Sequence, residues 1–236
     1  VAAWLRPHPA LGRRDNLNHR RKANTMKLTI FGATGATGTC LVQQALVAGH
    51  EVTAVVRDPG RLAFPAQQGL EVVTADVLDP ASICLAVTDA DAVLTAVGPQ
   101  GTGPSTLRQD STRSIIQAMQ KTGARRLLAV SGSVVADEGE SPYLRYLLKP
   151  LVRGTFLRHV CADMRGAENE IHASSLDWTI FRPPSLTDKA AKGTYRTAID
   201  RGLPHSFNIS RADLAACMLT LLDDPATVHR HVCIAN

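Results

Sequence analysis

From Met26 onward the chain alternates between short apolar, β-branched runs and longer stretches in which apolar residues recur at helical spacing. The runs Leu28–Phe31, Val52–Val56, Val72–Thr74, Ala92–Ala96, Leu127–Val130 and Trp178–Phe181 predict strands, with helices such as Leu41–Ala48 and Leu107–Gln120 between them. Strands this short and this apolar belong to a parallel sheet covered on both faces. Right-handed crossovers then favour a doubly wound order. After Pro183 the pattern loosens. Thr194–Ile199 and Ser206–Ile209 predict short strands, Ser210 with Asp213 three residues later predicts a helix start of the capping-box kind, and Val228–Ile234 predicts a last strand. Residues 26–236 are expected to form one α/β domain, with 184–236 as a small lobe on its substrate side.

Directly after the first strand comes Gly32-Ala33-Thr34-Gly35-Ala36-Thr37-Gly38, which also opens the first helix. Glycines here let the backbone turn sharply, approach a pyrophosphate and pack helix against strand. The helix start offers free amides to phosphate, and Thr34 and Thr37 add hydroxyls. A glycine triplet is weak evidence alone, but the strand before and helix after it are the context of a Rossmann-type dinucleotide site. No Lys-Ser/Thr pair follows, which excludes a P-loop.

The second strand ends in Arg57, where an NAD site usually carries a carboxylate for the ribose 2′-hydroxyl. A guanidinium matches a 2′-phosphate, and Arg61 is spaced to form a second jaw. Asp58 is the counter-signal, although before Pro59 it also reads as a cap. The balance favours NADP(H). At the other strand ends, Asp76-Val77 is placed for the adenine or for a turn, and Val97-Gly98 for close approach of backbone to a ribose. Ser131 and Ser133 are candidates to orient the nicotinamide ribose or the substrate, and Pro183-Pro184 followed by Ser185 would close that end.

Charge changes the picture only in the first 25 residues. The net +5 resides there: Arg6, Arg13, Arg14, Arg20, Arg21 and Lys22 face one acid, Asp15, while the other 20 basic and 20 acidic residues balance. A neutral body lacks the basic footprint of a nucleic-acid partner. The segment 1–25 reads as a disordered basic tail, either an extension upstream of a start at Met26 or a transit peptide. No window reaches the roughly 18 to 20 apolar residues of a membrane span, so no membrane partner is expected. Cys40, Cys84, Cys161, Cys217 and Cys233 show no metal spacing, and the histidines none either. The expectation is a reduced, cytoplasmic protein without a metal, monomeric or dimeric.

Taken together, Phe31–Gly38, Val56-Arg57-Asp58 with Arg61-Leu62, Asp76-Val77-Leu78, Asp91-Ala92-Val93, Leu176-Asp177-Trp178 leading to Pro183-Pro184, and Ser210–Leu214 resemble the NAD(P)H-binding atypical short-chain dehydrogenases. Within them the chain is most similar to the biliverdin reductase B/flavin reductase type, and NmrA-like redox sensors share much of the pattern. Two departures stand out. Tyr143 is followed four residues later by Leu147, and Tyr146 by Pro150, so the Tyr-x-x-x-Lys dyad is missing. Ser185 stands where flavin-reductase relatives can carry histidine. Without a tyrosine acid, reduction of a simple ketone is disfavoured. The resemblance implies hydride delivery from NADPH to a flat conjugated small-molecule acceptor such as flavin, quinone or tetrapyrrole. Ser131, Ser133 and Ser185 would orient that acceptor, framed by a helix around Tyr143–Leu157. The alternative is a non-catalytic NADP(H) sensor.

Overall fold

The computed structural model describes residues 25–65, 67–99, 101, 103–135 and 157–236. The basic tail up to residue 24, and most of the helix expected to frame the acceptor, lie outside the described residues. Ten strands are defined among the described residues: β1 (Lys27–Phe31), β2 (Glu51–Val56), β3 (Leu70–Thr74), β4 (Ala92–Thr95), β5 (Arg126–Val130), β6 (Asp177–Arg182), β7 (Ser185–Thr187), β8 (Arg196–Ile199), β9 (Asn208–Ser210) and β10 (Arg230–Ala235). Five α-helices accompany them: α1 (Ala36–Val47), α2 (Pro80–Val87), α3 (Leu107–Thr122), α4 (Arg158–His172) and α5 (Arg211–Thr220).

Eight strands form one sheet in the order β3-β2-β1-β4-β5-β6-β10-β8. Every neighbouring pair is parallel except β8 with β10. This is the doubly wound Rossmann arrangement. The order reverses at β1, where Phe31 lies opposite Val55 on one side and Thr95 on the other. A ligand crevice therefore belongs above the carboxyl end of β1.

Alternation along the strands feeds two cores. Leu28, Ile30, Leu94, Leu128 and Phe181 pack with Leu41 and Val42 of α1 and Leu214 and Met218 of α5. Phe31, Val93, Leu127 and Ile180 face the opposite way, toward Ile83 of α2, Ile115 and Met119 of α3, and Ile171 of α4. Burial of this kind is worth about 1.5–3 kcal/mol per large side chain, which holds the strand ends in place.

The segment 184–236 is divided between two places. β8 and β10 extend the main sheet and α5 packs on α1, while β7 and β9 pair only with each other. Ser210 caps α5, accepting from the Asp213 amide at 2.9 Å as the sequence suggests. The Asp213 carboxylate, a methylene shorter than the glutamate of a full capping box, receives Ser210 Oγ at 2.8 Å and the amides of Lys192 at 3.0 Å and Gly193 at 2.9 Å. Burial alone would raise its pKa, but these bonds outweigh burial and hold it below the usual carboxylate range. Among the described residues no helix is long and apolar enough to cross a membrane.

Candidate functional site

The turn after β1 is as tight as its glycines allow. Gly32 has φ +80°, and a Cβ there would lie 2.8 Å from the Ala96 carbonyl group of the neighbouring strand end. A Cβ on Gly38 would come within 2.0 Å of Gly32 O, so helix and turn touch with no room for a side chain. The first helical bond runs from Thr39 N to Gly35 O at 2.8 Å, which leaves the amides of Ala36, Thr37 and Gly38 outside the helix's own ladder. No side chain caps α1, and no acid sits in its first turn. Among the described residues no side chain competes for this positive helix end.

Above the turn lies a crevice of about 300 Å³ that brings together Gly32, Thr34, Gly35, Arg57, Arg61, Asp76, Val77, Val97 and Gly98. That volume is at the small end for a ligand site and suits half of a dinucleotide. Arg57 and Arg61 are exposed at its rim, and neither guanidinium has an ion pair or hydrogen bond with another described residue. Asp58 is spent on the turn, accepting from Gly60 N at 3.0 Å. Asp76 borders the crevice, yet its Oδ1 accepts from Leu78 N at 3.0 Å, the turn role rather than an open one. Ala36 is exposed beside the crevice lining, while Thr37 and Gly38 are buried beneath it.

Val97 also borders a second, smaller cavity behind the ends of β4 and β5, of about 20 Å³, room for a single water. Ser131 lies here with Thr95, Thr112, Met164 and Glu168. Its Oγ is buried and has no hydrogen-bond partner among the described residues, an unusual state for a buried hydroxyl. Glu168 holds Arg182 in a bidentate pair, with contacts of 3.1 and 2.6 Å, and this fixes the end of β6.

The remaining candidates sit farther out. Ser133 opens a short 3-10 turn, and its amide donates to Pro183 O at 2.8 Å, tying the two loops together. Pro183 is buried and Pro184 half-buried, and neither lines the crevice. Ser185 is the exposed first residue of β7, paired with Asn208. Sequence reasoning missed Arg108, Asp163 and the Glu168–Arg182 pair. Arg108 lines the smaller cavity and Asp163 pairs with it at 3.3 Å. Nothing local distinguishes Arg108 from a surface cation; only the fold places it here.

A family pattern described as NAD(P)H-binding matches residues 32–225. The chain belongs to that NAD(P)H-binding family. It is 28% identical over 210 residues to YwnB of Bacillus subtilis, spanning 85% of this chain and 93% of YwnB. It is also 31% identical to YhfK of the same organism, named as an uncharacterized sugar epimerase, over 87% of this chain and 92% of YhfK. Among solved structures, ChuY, an anaerobillin reductase from Escherichia coli O157:H7, superposes with a TM-score of 0.70 at 26% identity, covering 89% of this chain and 96% of ChuY. The glycine cradle that a Cβ would fill, the uncapped helix start and the crevice above them fit a nicotinamide dinucleotide.

Proposed function

We propose that the protein is an NADPH-dependent oxidoreductase that reduces a flat conjugated acceptor such as a flavin, quinone or tetrapyrrole. The observation that carries this reading is that the crevice and the Ser131 cavity share a wall, Val97 lining both. One side offers a phosphate cradle; the other offers an unsatisfied hydroxyl where an acceptor's polar atom, or the water that protonates it, can be held. When bound, the cofactor supplies a hydride. Arg57 and Arg61 favour the 2′-phosphate because no carboxylate neutralises them and Asp58 is occupied as a cap. Ser131 Oγ orients, and Ser133 and Ser185 stand outside it as the wall toward β7. ChuY, of reductase activity, favours reduction over the epimerase chemistry in YhfK's name. Five cysteines, none of them in a disulfide among the described residues, suit a reducing, cytoplasmic compartment.

The test is an equilibrium titration with NADPH and NADH, followed by addition of FMN, a quinone and biliverdin in turn. NADPH should bind at least about tenfold more tightly than NADH, and Arg57→Gln should remove most of that gap. Equal affinities would overturn the NADPH preference. Tight binding with no nicotinamide oxidation by any acceptor would identify a sensor of the NADP(H) redox state instead.

A further inference from the structure

The guanidinium of Arg108 stands between the two cavities. Its Nη1 donates to Asp163 Oδ2 at 3.3 Å, and the same carboxylate accepts the backbone amides of Arg108 at 3.3 Å and Gln109 at 3.0 Å. The Asp163 side chain is 1% exposed and that of Arg108 19%, so the pair is largely removed from water. Asp163, reaching over from α4, thus clamps one edge of the guanidinium and the start of α3 together. Gly166 permits this approach: a Cβ there would lie 2.4 Å from Gln109 Oε1.

The opposite edge is open. Nε and Nη2 of Arg108 have no hydrogen-bond partner among the described residues. That edge faces Gly98, where a Cβ would sit 2.9 Å from Nη2 and 3.4 Å from Nε, and Gly98 lines the crevice. Two parallel N–H donors on a fixed, mostly buried cation match the oxygen pair of a phosphate or carboxylate. A half-paired guanidinium with restricted access to water is costly unless such an acceptor arrives.

We propose that the Nε–Nη2 edge of Arg108 is an anion-binding element of the site. It receives an oxyanion either from the cofactor's pyrophosphate or from a phosphate or carboxylate on the acceptor. Asp163 is its positioning residue, and Gly98 is the window through which it reaches the ligand. The inference rests on the nicotinamide-dinucleotide reading above and adds the acceptor's or cofactor's charge to it.

The experiment compares wild type, Arg108→Gln, Arg108→Lys and Gly98→Ala by equilibrium binding, so that no turnover is needed. Circular dichroism and thermal midpoints establish folding. NADPH affinity is measured first; FMN and riboflavin, which differ by one phosphate, are then titrated by flavin fluorescence into protein saturated with NADP. If the anion is the cofactor's, Arg108→Gln weakens NADPH roughly ten- to hundredfold, with Arg108→Lys between it and wild type. If it is the acceptor's, wild type prefers FMN to riboflavin by a similar factor and Arg108→Gln erases the preference. Gly98→Ala, which displaces the guanidinium without removing it, should reproduce whichever loss is seen. Should Arg108→Gln not fold, Gly98→Ala decides alone. Folded variants that keep both the NADPH affinity and the FMN-to-riboflavin ratio of wild type overturn the proposal. Failure of wild type to bind NADPH overturns the cofactor reading itself, and inorganic pyrophosphate, bound equally by wild type and Arg108→Gln, would then overturn this one separately.

Discussion

The two ends of the parallel sheet differ in how many of their polar groups are left open: at the carboxyl end Arg182 is paired with Glu168, but several of its neighbours are not. At the amino end, Arg126 opens β5 and its donors are taken up: Nε by Leu222 O at 2.9 Å, Nη1 by Asp177 O at 2.9 Å, and Nη2 by Leu221 O and Thr227 Oγ1, both at 3.1 Å. Beside it, His172 and His231 share a contact of 3.0 Å between their Nε2 atoms, with Trp178 packed against both rings. At the carboxyl end, among the described residues, the side chains of Arg57 and Arg61 stand unpaired, Arg108 is half paired, and Ser131 Oγ is buried without a partner. Both ends are built from the same strands and helices. Stability would pair these groups. The open valences at one end are what the proposed ligand would complete.

The largest effect expected is at the cradle itself. Gly38→Ala places a Cβ against Gly32 O with no rotamer to relieve it, and should cost about 3 kcal/mol and abolish NADPH binding. Urea unfolding and a fluorescence titration measure the two losses; retained NADPH affinity would place the cofactor elsewhere. Arg126→Met sharpens the contrast from the closed end. It strands several backbone carbonyls and should cost about 2 kcal/mol, while NADPH affinity stays within about twofold of wild type. A parallel loss of affinity would show that the two ends are not independent.

The smallest effect concerns pH. Burial, and to a lesser degree the charge of Arg182, lowers the pKa of both His172 and His231, against opposing pulls from Glu168 on both and from Asp200 on His231. Both are therefore neutral in the folded protein at a pH where the unfolded chain begins to take up protons, near the ordinary value of 6.5. Their contribution to stability is complete above that value and is lost as pH falls through the folded pKa values. The urea midpoint should drop between about pH 7 and pH 5, and His172→Phe should flatten the drop. An unchanged slope in that variant would remove the histidine pair as its source.

What could be read from the sequence was what is local. The glycine turn follows its strand without interruption, Arg57 is the residue after β2, and Ser210 with Asp213 declares a helix start, so each was visible as a pattern. The antiparallel direction of β8 was not visible, because it is fixed by β10 more than thirty residues later. Ser185 read as a residue beyond the sixth strand that would orient the acceptor. That its backbone pairs with Asn208 in a small second sheet was not visible, because a distant segment decides it. Arg108 and Asp163 meet across 55 residues of chain, and no periodicity or motif joins them.

That last separation has a consequence for the order in which the molecule is made. Thr106, the residue before α3, provides no side-chain cap, and the helix start is completed by a carboxylate from α4. During synthesis, α3 leaves the ribosome long before the residue that finishes it. Closing so long a loop is entropically slow and comes after local structure has formed. The glycine cradle can form early, but the Arg108 side of the crevice is set only once α4 has docked. If Arg108 meets the ligand as proposed, contacts on that side would report a chain that has finished folding, and a nascent or partly folded one would lack them.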